Sequence, residues 1–287
     1  MKTYNFYNFY FNFPTVNDKN RNFVIHCNNC NCKKVGNTKN GFWTTEFKTF
    51  TAAKSVLDRL IKKFRNDQNY SISICSKCKI INHQFIEKYP VIETDKQLII
   101  GTMHPPKVDN FRHKYFYGNV GSLWEMLHEI YPECDHTKLK KIQEFLRINH
   151  IGISDMIYSC DNCYTGSDST IKNEILNPYL KDLINNSNVT RIYFTSSGNQ
   201  KSALSFFCEY FDLTITETER KSEKFIKEIQ LKGEVRKIEL VLLLSPSRQA
   251  NRSIGRREDY KKLKQKDSTL TTKKFRVIQY KQLFKLS

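Results

Sequence analysis

The apolar positions of the chain change their spacing about a third of the way along. Before residue 84 they form short β-like runs, 23–25 (Phe-Val-Ile) and 72–74 (Ile-Ser-Ile), with residues 1–20 as an arm or first strand. Between the runs lies one stretch with helical spacing, 51–64, whose Ala53, Val56, Leu57, Leu60 and Ile61 share a face. After residue 96 strand and helix patterns alternate. Strands are predicted at 98–101, 191–194, 213–215 and 239–244, with a short apolar element at 151–157. Helices are predicted at 122–130, 139–148, 171–184, 200–211, 256–266 and 273–283, and the charged stretch 221–237 as a hairpin or helix. This alternation predicts an α/β domain, a three-layer sandwich with a mostly parallel central sheet. A small α+β module precedes it. The segment 84–96 is the expected linker, with domains at 1–90 and 91–287.

Composition adds a partner. A chain of 287 residues that is 39% hydrophobic has room for a real core. No apolar run is long enough to cross a bilayer, and MKTYNFYNFYFNFPT lacks the basic start of a signal peptide. A soluble monomer is expected, in the cytoplasm with the nucleoid or in a nucleus, and no membrane is expected as partner. The formal charge is +18, and the stretch from Arg248 onward carries 13 lysines and arginines against three acids. Biased codon usage enriches lysine generally, but not at one end of a chain. A clustered basic surface attracts polyanions, and DNA is the expected one.

Nine cysteines in a chain of this kind point to metal rather than disulfides. Cys27-x-x-Cys30 and Cys75-x-x-Cys78 each follow a strand-like run and together supply four thiolates, the set for a structural Zn²⁺. Cys32, His26 and His83 stand by as spare ligands. Four thiolates leave no open position, so no catalytic cofactor is expected. Cys160 and Cys163 lack a second pair and are read as structural.

The chemistry gathers in the second domain. The stretch QLIIGTMHPPKVDNFRHKYFYGNVGSLW runs from a buried strand through a polar, aromatic loop into a helix, which is how open α/β sheets build sites at their carboxyl edge. Further motifs follow in order: IGISDMIYSCDNCYTGSDSTI, RIYFTSSGN and LLLSPSRQANRSI. This ordered set, over about 98–260, resembles the uracil-DNA glycosylase superfamily, and within it the hypoxanthine and mismatch-specific branches. Departures stand at His104-Pro105-Pro106, where that branch has Pro-Gly, at Thr195, where it has Asn, and at Ser154, where it has Trp.

The resemblance implies a monofunctional enzyme that flips a deaminated or otherwise modified base (uracil, hypoxanthine or a modified pyrimidine) from DNA and hydrolyses its N-glycosidic bond. It implies His104, Asn119 and Asp155 as catalytic candidates. Phe116 or Tyr117 would stack on the base, with Thr195, Ser196 and Asn199 at its polar edge. Ser245 and Ser247 would hold flanking phosphates, Arg248 or Gln249 would fill the vacated stack, and Arg252, Arg256 and Arg257 would meet the backbone. Each has a plainer alternative. Aromatics fill cores, Asn119 tolerates a tight turn, His104 can fix a loop and arginines can form a solvated face. Ser167 and Asp168 read as a cap for the helix at 171–184. The alternative for the whole protein is an inactive glycosylase fold that binds nucleic acid without cutting it. No acidic cluster suits a two-metal nuclease, and Lys107 is the one lysine in the motif loops available to a Schiff-base lyase.

Overall fold

All five residues of Gln97–Gly101 are buried, and this strand (β6) lies inside the larger sheet with a parallel neighbour on each side. The computed structural model describes residues 80–119, 123–161 and 165–286, together with the backbone elements 7–12, 22–27, 41–43, 50–64 and 71–74 of the N-terminal part. Two compact units emerge: Met1–Ile81 with Cys160–Cys163, and Asn82–Ser159 with Tyr164–Ser287.

The first unit contains strands β1 (Tyr7–Asn12), β2 (Asn22–Cys27), β3 (Gly41–Trp43) and β4 (Ser71–Ile74) in the order β3-β1-β2-β4. Helix α1 (Phe50–Phe64) packs on β1, β2 and β4 and buries Ala53, Leu57 and Ile61 completely. Strands β2 and β4 pair in parallel, Ile25 opposite Ile74, so both end at the same edge. Cys27 closes β2, and Cys75 directly follows β4 in sequence. The Cys27 side chain and all of Cys30, Cys75 and Cys78 lie outside the described residues, as do Cys32 and the side chain of His26.

Strand β5 (Ile80–Asn82) leads across the unit boundary. The second unit holds a five-stranded sheet in the order β11-β12-β10-β6-β7, where β7 is Ile151–Asp155, β10 Arg191–Phe194, β11 Lys224–Gln230 and β12 Val235–Leu242. Strands β7, β6, β10 and β12 are parallel, and β11 joins antiparallel as the edge. One sheet face contributes Ile99, Ile153, Tyr193 and Val241 to a core shared with helices α2 (Leu123–Ile130), α3 (Leu139–Ile148) and α9 (Thr272–Leu283). On the other face Phe194 meets Phe207 of helix α5 (Ala203–Phe211), ring centroids 5.0 Å apart. Helices therefore cover both faces of a mostly parallel sheet, the predicted α/β layering.

The order β7-β6-β10-β12 places a topological switch between β6 and β10, because the chain leaves β6 in one direction and returns on its other side. A crevice opens there at the carboxyl edge, the common ligand position of such sheets. Register sharpens it, pairing Gly101 with Asp155 and Ile100 with Phe194.

Several expectations are corrected. The segment 84–96 is no linker: Phe85 and Ile86 are core residues, and the buried Asp95 accepts from the Ile92 amide at 2.9 Å. The boundary between units accordingly falls before residue 82 rather than at 90. The helix expected at 171–184 is a 3-10 turn (Asp168–Thr170), a two-residue strand β9 (Ile175–Leu176) and a short helix α4 (Leu180–Asn185). Pro178 and the fully buried Asn177 interrupt the helical spacing. β9 pairs antiparallel with β8 (Ile157–Asp161). Residues 213–215 form no strand. The stretch 221–237 is a hairpin, β11 with β12, entered from helix α6 (Glu217–Ser222).

Candidate active site

A pocket of about 630 Å³, the open solvent at its mouth included, occupies the crevice. The loop after β6 contributes Thr102, Met103, His104 and Pro105. Thr195 and Ser196 come from the end of β10, and Asp155 from the end of β7. Tyr117 and Asn119 enter from the turn before α2, Gly166 and Asp168 from the loop after β8, and Ser245, Pro246 and Ser247 from the loop after β12.

Asp155 is held from behind. Its Oδ2 lies 2.8 Å from His83 Nε2, and both side chains are buried. His83 Nδ1 accepts from the amides of Phe85 (3.1 Å) and Ile86 (3.2 Å). A nitrogen that accepts twice carries no proton, so Nε2–H is the donor to Asp155. Sequence reading kept His83 as a spare metal ligand; its ring is instead fully engaged with Asp155. Asn177 adds a second brace, donating to Asp155 O and Ser154 Oγ, each at 3.1 Å. Asp155 Oδ1 lies over Gly101, beside the Tyr117 hydroxyl. A Cβ on Gly101 would collide with both, so only glycine permits this approach.

Tyr117 holds a left-handed backbone (φ 51°), a strained conformation for a bulky residue and one that clusters at functional sites. Its hydroxyl lies 2.6 Å from Thr195 Oγ1. Burial, then the nearby Asp155, hold its pKa well above the usual tyrosine value. Phe116, by contrast, is 1% exposed and packs among Phe85, His83 and Tyr115. It belongs to the core and does not line the pocket, so of the two aromatics Tyr117 is the one that lines it.

His104 lines the pocket with both ring nitrogens engaged. Nδ1 lies 2.8 Å from Pro105 O, and Nε2 accepts from the Gln84 amide at 3.2 Å. Burial, then the His83 ring, hold its pKa below the usual histidine value. The ring is neutral, with its one N–H donated to a carbonyl. Both ring nitrogens of the expected electrophile are thus hydrogen-bonded to backbone groups. Asn119 is exposed at the rim.

Sequence reading missed Asp168, which it gave to a helix cap. No helix of that kind forms, and the side chain turns into the pocket. Oδ2 accepts from Thr102 Oγ1 at 2.8 Å, and Thr102 Oγ1 lies 2.7 Å from Ser196 Oγ. Ser196 Oγ in turn accepts from the amide of Ala203, the first residue of α5, at 2.8 Å. Burial pushes the Asp168 pKa up to about 6, opposed by the Thr102 and Ser196 hydroxyls and reinforced by Asp155. Its signal in the sequence was slight: an acid in a polar turn with no apolar periodicity in register with it.

The loop after β12 is fixed by the last helix. Arg276 donates to Ser247 O (2.9 Å) and Asn251 Oδ1 (2.7 Å), Gln279 accepts from the Leu244 amide (2.7 Å), and Tyr280 donates to Leu244 O (2.9 Å). Gly166 (φ +94°) faces Pro105, Pro106 and Gln249, so three loops converge at the mouth. Arg248 and Gln249 sit exposed on the 3-10 turn Arg248–Ala250, and Arg252 is exposed on helix α7 (Asn251–Ile254). Arg248, Arg252 and Arg256 have no ion pair among the described residues. Arg257 does not join them as a free cation: it pairs with Asp259 (2.7 Å) and Glu223 (3.1 Å). Asn199 is exposed and stands outside the pocket.

No family model and no curated protein matches the sequence. One solved structure aligns. It is a Methanosarcina acetivorans protein, proposed to be a uracil DNA glycosylase, at 23% identity over 61% of this chain and 89% of that one, with a TM-score of 0.37. A superposition this loose leaves function to the geometry. Among the described residues no cluster of three or more His, Cys, Asp or Glu could hold a metal ion, and no helix is long and apolar enough to cross a membrane.

Proposed function

We propose that the chain is a monofunctional DNA glycosylase that takes a deaminated or otherwise modified base into the crevice between β6 and β10 and hydrolyses its N-glycosidic bond. One observation carries the reading. A pocket at the carboxyl edge of a parallel sheet holds a histidine-braced carboxylate, Asp155, next to a loop bearing unpaired arginines.

Breaking this bond builds oxocarbenium character on the sugar and negative charge on the base, and water completes the reaction. Asp155 is the residue proposed to orient and deprotonate that water, with His83 holding its orientation, as a general base is held by a third group. Tyr117 offers a ring face for the base. Ser245 and Ser247 stand where flanking phosphates would pass. Arg248, Arg252 and Arg256 supply positive charge beside the mouth, and Arg248 or Gln249 reaches into the vacated stack.

The test is direct. Duplexes carrying one uracil, hypoxanthine, 5-hydroxymethylcytosine or glucosylated cytosine are incubated with protein and then treated with alkali. Strand breaks that need alkali, lost in Asp155→Asn, are the expected result. Breaks without alkali would indicate a lyase or nuclease. Binding with no breaks on the whole panel would indicate the inactive binding module instead.

A further inference from the structure

The floor of the pocket can be read proton by proton. The Tyr117 and Thr195 hydroxyls lie 2.6 Å apart and Thr195 Oγ1 lies 3.3 Å from Ile100 O, so their protons are held between these groups and the neighbouring Asp155. The Thr102 hydroxyl donates to Asp168. Ser196 accepts from Ala203 N–H, which leaves its proton for Thr102 or for Asp168. His104 gives its one N–H to Pro105 O. A hydroxyl has a single proton, and a carboxylate has none. The side chains around Asp168 therefore offer a ligand chiefly acceptors, the carboxylate oxygens of Asp155 and Asp168, whereas the hydroxyl protons of Ser245 and Ser247 stand apart on the loop after β12. Asn119 has an amide N–H to give, but at the exposed rim.

Asp155 faces the strand end over Gly101, whereas Asp168 comes from the loop after β8, from the side where Gly166 and Gln249 approach the mouth. The relay from the amide end of α5 through Ser196 and Thr102 delivers a hydrogen bond to one Asp168 oxygen. A carboxylate has about four lone-pair sites, so lone pairs remain for a ligand beyond those taken by Thr102 and Ser196.

We infer that Asp168 reads the edge of the bound base and selects one bearing an exocyclic amino group, the cytosine-type edge, over the lactam edge of uracil or hypoxanthine. This rests on the glycosylase reading for why a base occupies the pocket. An ionised carboxylate accepts from an amino N–H, as acidic side chains do with the cytosine amino group. A lactam carbonyl would instead meet carboxylate oxygen with no donor between them, leaving a buried acceptor unpaired. The titratable groups around Asp168 are Asp155 at the end of β7, Tyr117 before α2 and His104 after β6. When Asp168 takes up a proton, near pH 6, its carboxyl carries donor and acceptor together and fits a lactam edge as well.

The test uses the full chain and two probes of nearly equal shape, 1-methylcytosine and 1-methyluracil, titrated by ligand-observed NMR. At pH 7.5 the methylcytosine is expected to bind roughly 5- to 150-fold more tightly, the discrimination of one good base contact. The preference should shrink at pH 5.5. Asp168→Asn, which supplies an amide donor, should favour methyluracil. Thr102→Val, which removes the donor to the carboxylate, should move the loss of preference to higher pH, and this variant decides the matter if Asp168→Asn does not fold. Equal binding, tighter methyluracil, no binding of either probe, or an unchanged preference in folded Asp168→Asn would each overturn the inference. The duplex assay separates this from the activity. If no base is released while the methylcytosine preference persists, the glycosylase reading fails and the edge reading stands. If uracil or hypoxanthine is released fastest and the probes bind alike, the reverse holds.

Discussion

Replacing His83 by alanine removes three hydrogen bonds at once. The bond to Asp155 Oδ2 is charge-assisted and short, 2.8 Å, and such bonds contribute about 1.5–3 kcal/mol each. The amides of Phe85 and Ile86, which donate to Nδ1, lose their acceptor in a buried segment, at about 1 kcal/mol each. His83 also abuts the rings of Phe85, His104 and Phe116, so truncation opens a void. The expected loss is about 3–5 kcal/mol, the range for stripping a partner from a buried charge. With a urea slope of about 2–3 kcal/mol per molar for a unit of this size, the unfolding midpoint should fall by about 1–2 M. Trp124 is buried in this unit, so its fluorescence in a Trp43→Phe background reports that transition. Two further substitutions divide the roles. Asparagine can place an acceptor where Nδ1 stands and keep the Phe85–Ile86 turn while losing Asp155. Glutamine can place a donor where Nε2 stands and keep Asp155 while losing the turn. His83→Gln should therefore retain more base release than His83→Asn. An unchanged midpoint in His83→Ala, or equal activity in the two amide variants, would refute the brace.

Asp168 has a folded-state pKa near 6 against an ordinary value of 3.8, so the folded protein holds its proton longer than the unfolded chain. Its contribution to stability is greatest below about pH 4 and falls as pH rises to about 6. Asp168→Asn should abolish that slope and raise the urea midpoint above pH 6; parallel midpoint-versus-pH curves for the two proteins would count against it. Substituting Arg248, Arg252 or Arg256 by alanine should lower the slope of log K for DNA against log salt by about 0.9 for each lost phosphate contact. Arg257→Ala should leave the slope unchanged and lower stability instead, because its guanidinium is tied to Asp259 and Glu223. Cys27, Cys30, Cys75 and Cys78 predict about one zinc per chain by elemental analysis, removed in Cys75→Ser; folded, zinc-free protein would sink the four-thiolate site.

What the sequence made legible follows from the range of each interaction. The strand at 98–101, the helices at 139–148 and 273–283 and the crevice itself rest on local apolar spacing, and local spacing is what a sequence displays. The elements missed were decided at a distance. Ile171 and Ile175, and again Leu180 and Ile184, stand one helical turn apart, yet Asn177 between them is held by Ser154 and Asp155, more than 20 residues away. The two residues that most change the chemistry are of this kind. His83 meets Asp155 across 72 positions, and Asp168 meets Thr102 across 66. Before folding, each looked like an ordinary polar residue near a boundary. Arg257 shows the converse: among four arginines within ten residues, only tertiary pairing distinguishes the one that is neutralised.

The same argument bears on how such a pocket takes on its chemistry. The parallel sheet guarantees that several loops meet at one edge, whatever they contain. Which hydroxyl donates to which neighbour is then set by long-range register, because Ile100 opposite Phe194 is what brings Thr195 within reach of Ile100 O. A single substitution in that network therefore reverses the direction of hydrogen bonds beyond its own contacts. Thr195→Val would remove the hydroxyl that lies 2.6 Å from the Tyr117 hydroxyl, in a site where Asp155 is a neighbouring acceptor. The expected result is a pocket of unchanged shape in which Tyr117 donates to Asp155. Base release would then fall because the proposed water-orienting oxygen is occupied, with little change in the affinity for 1-methylcytosine.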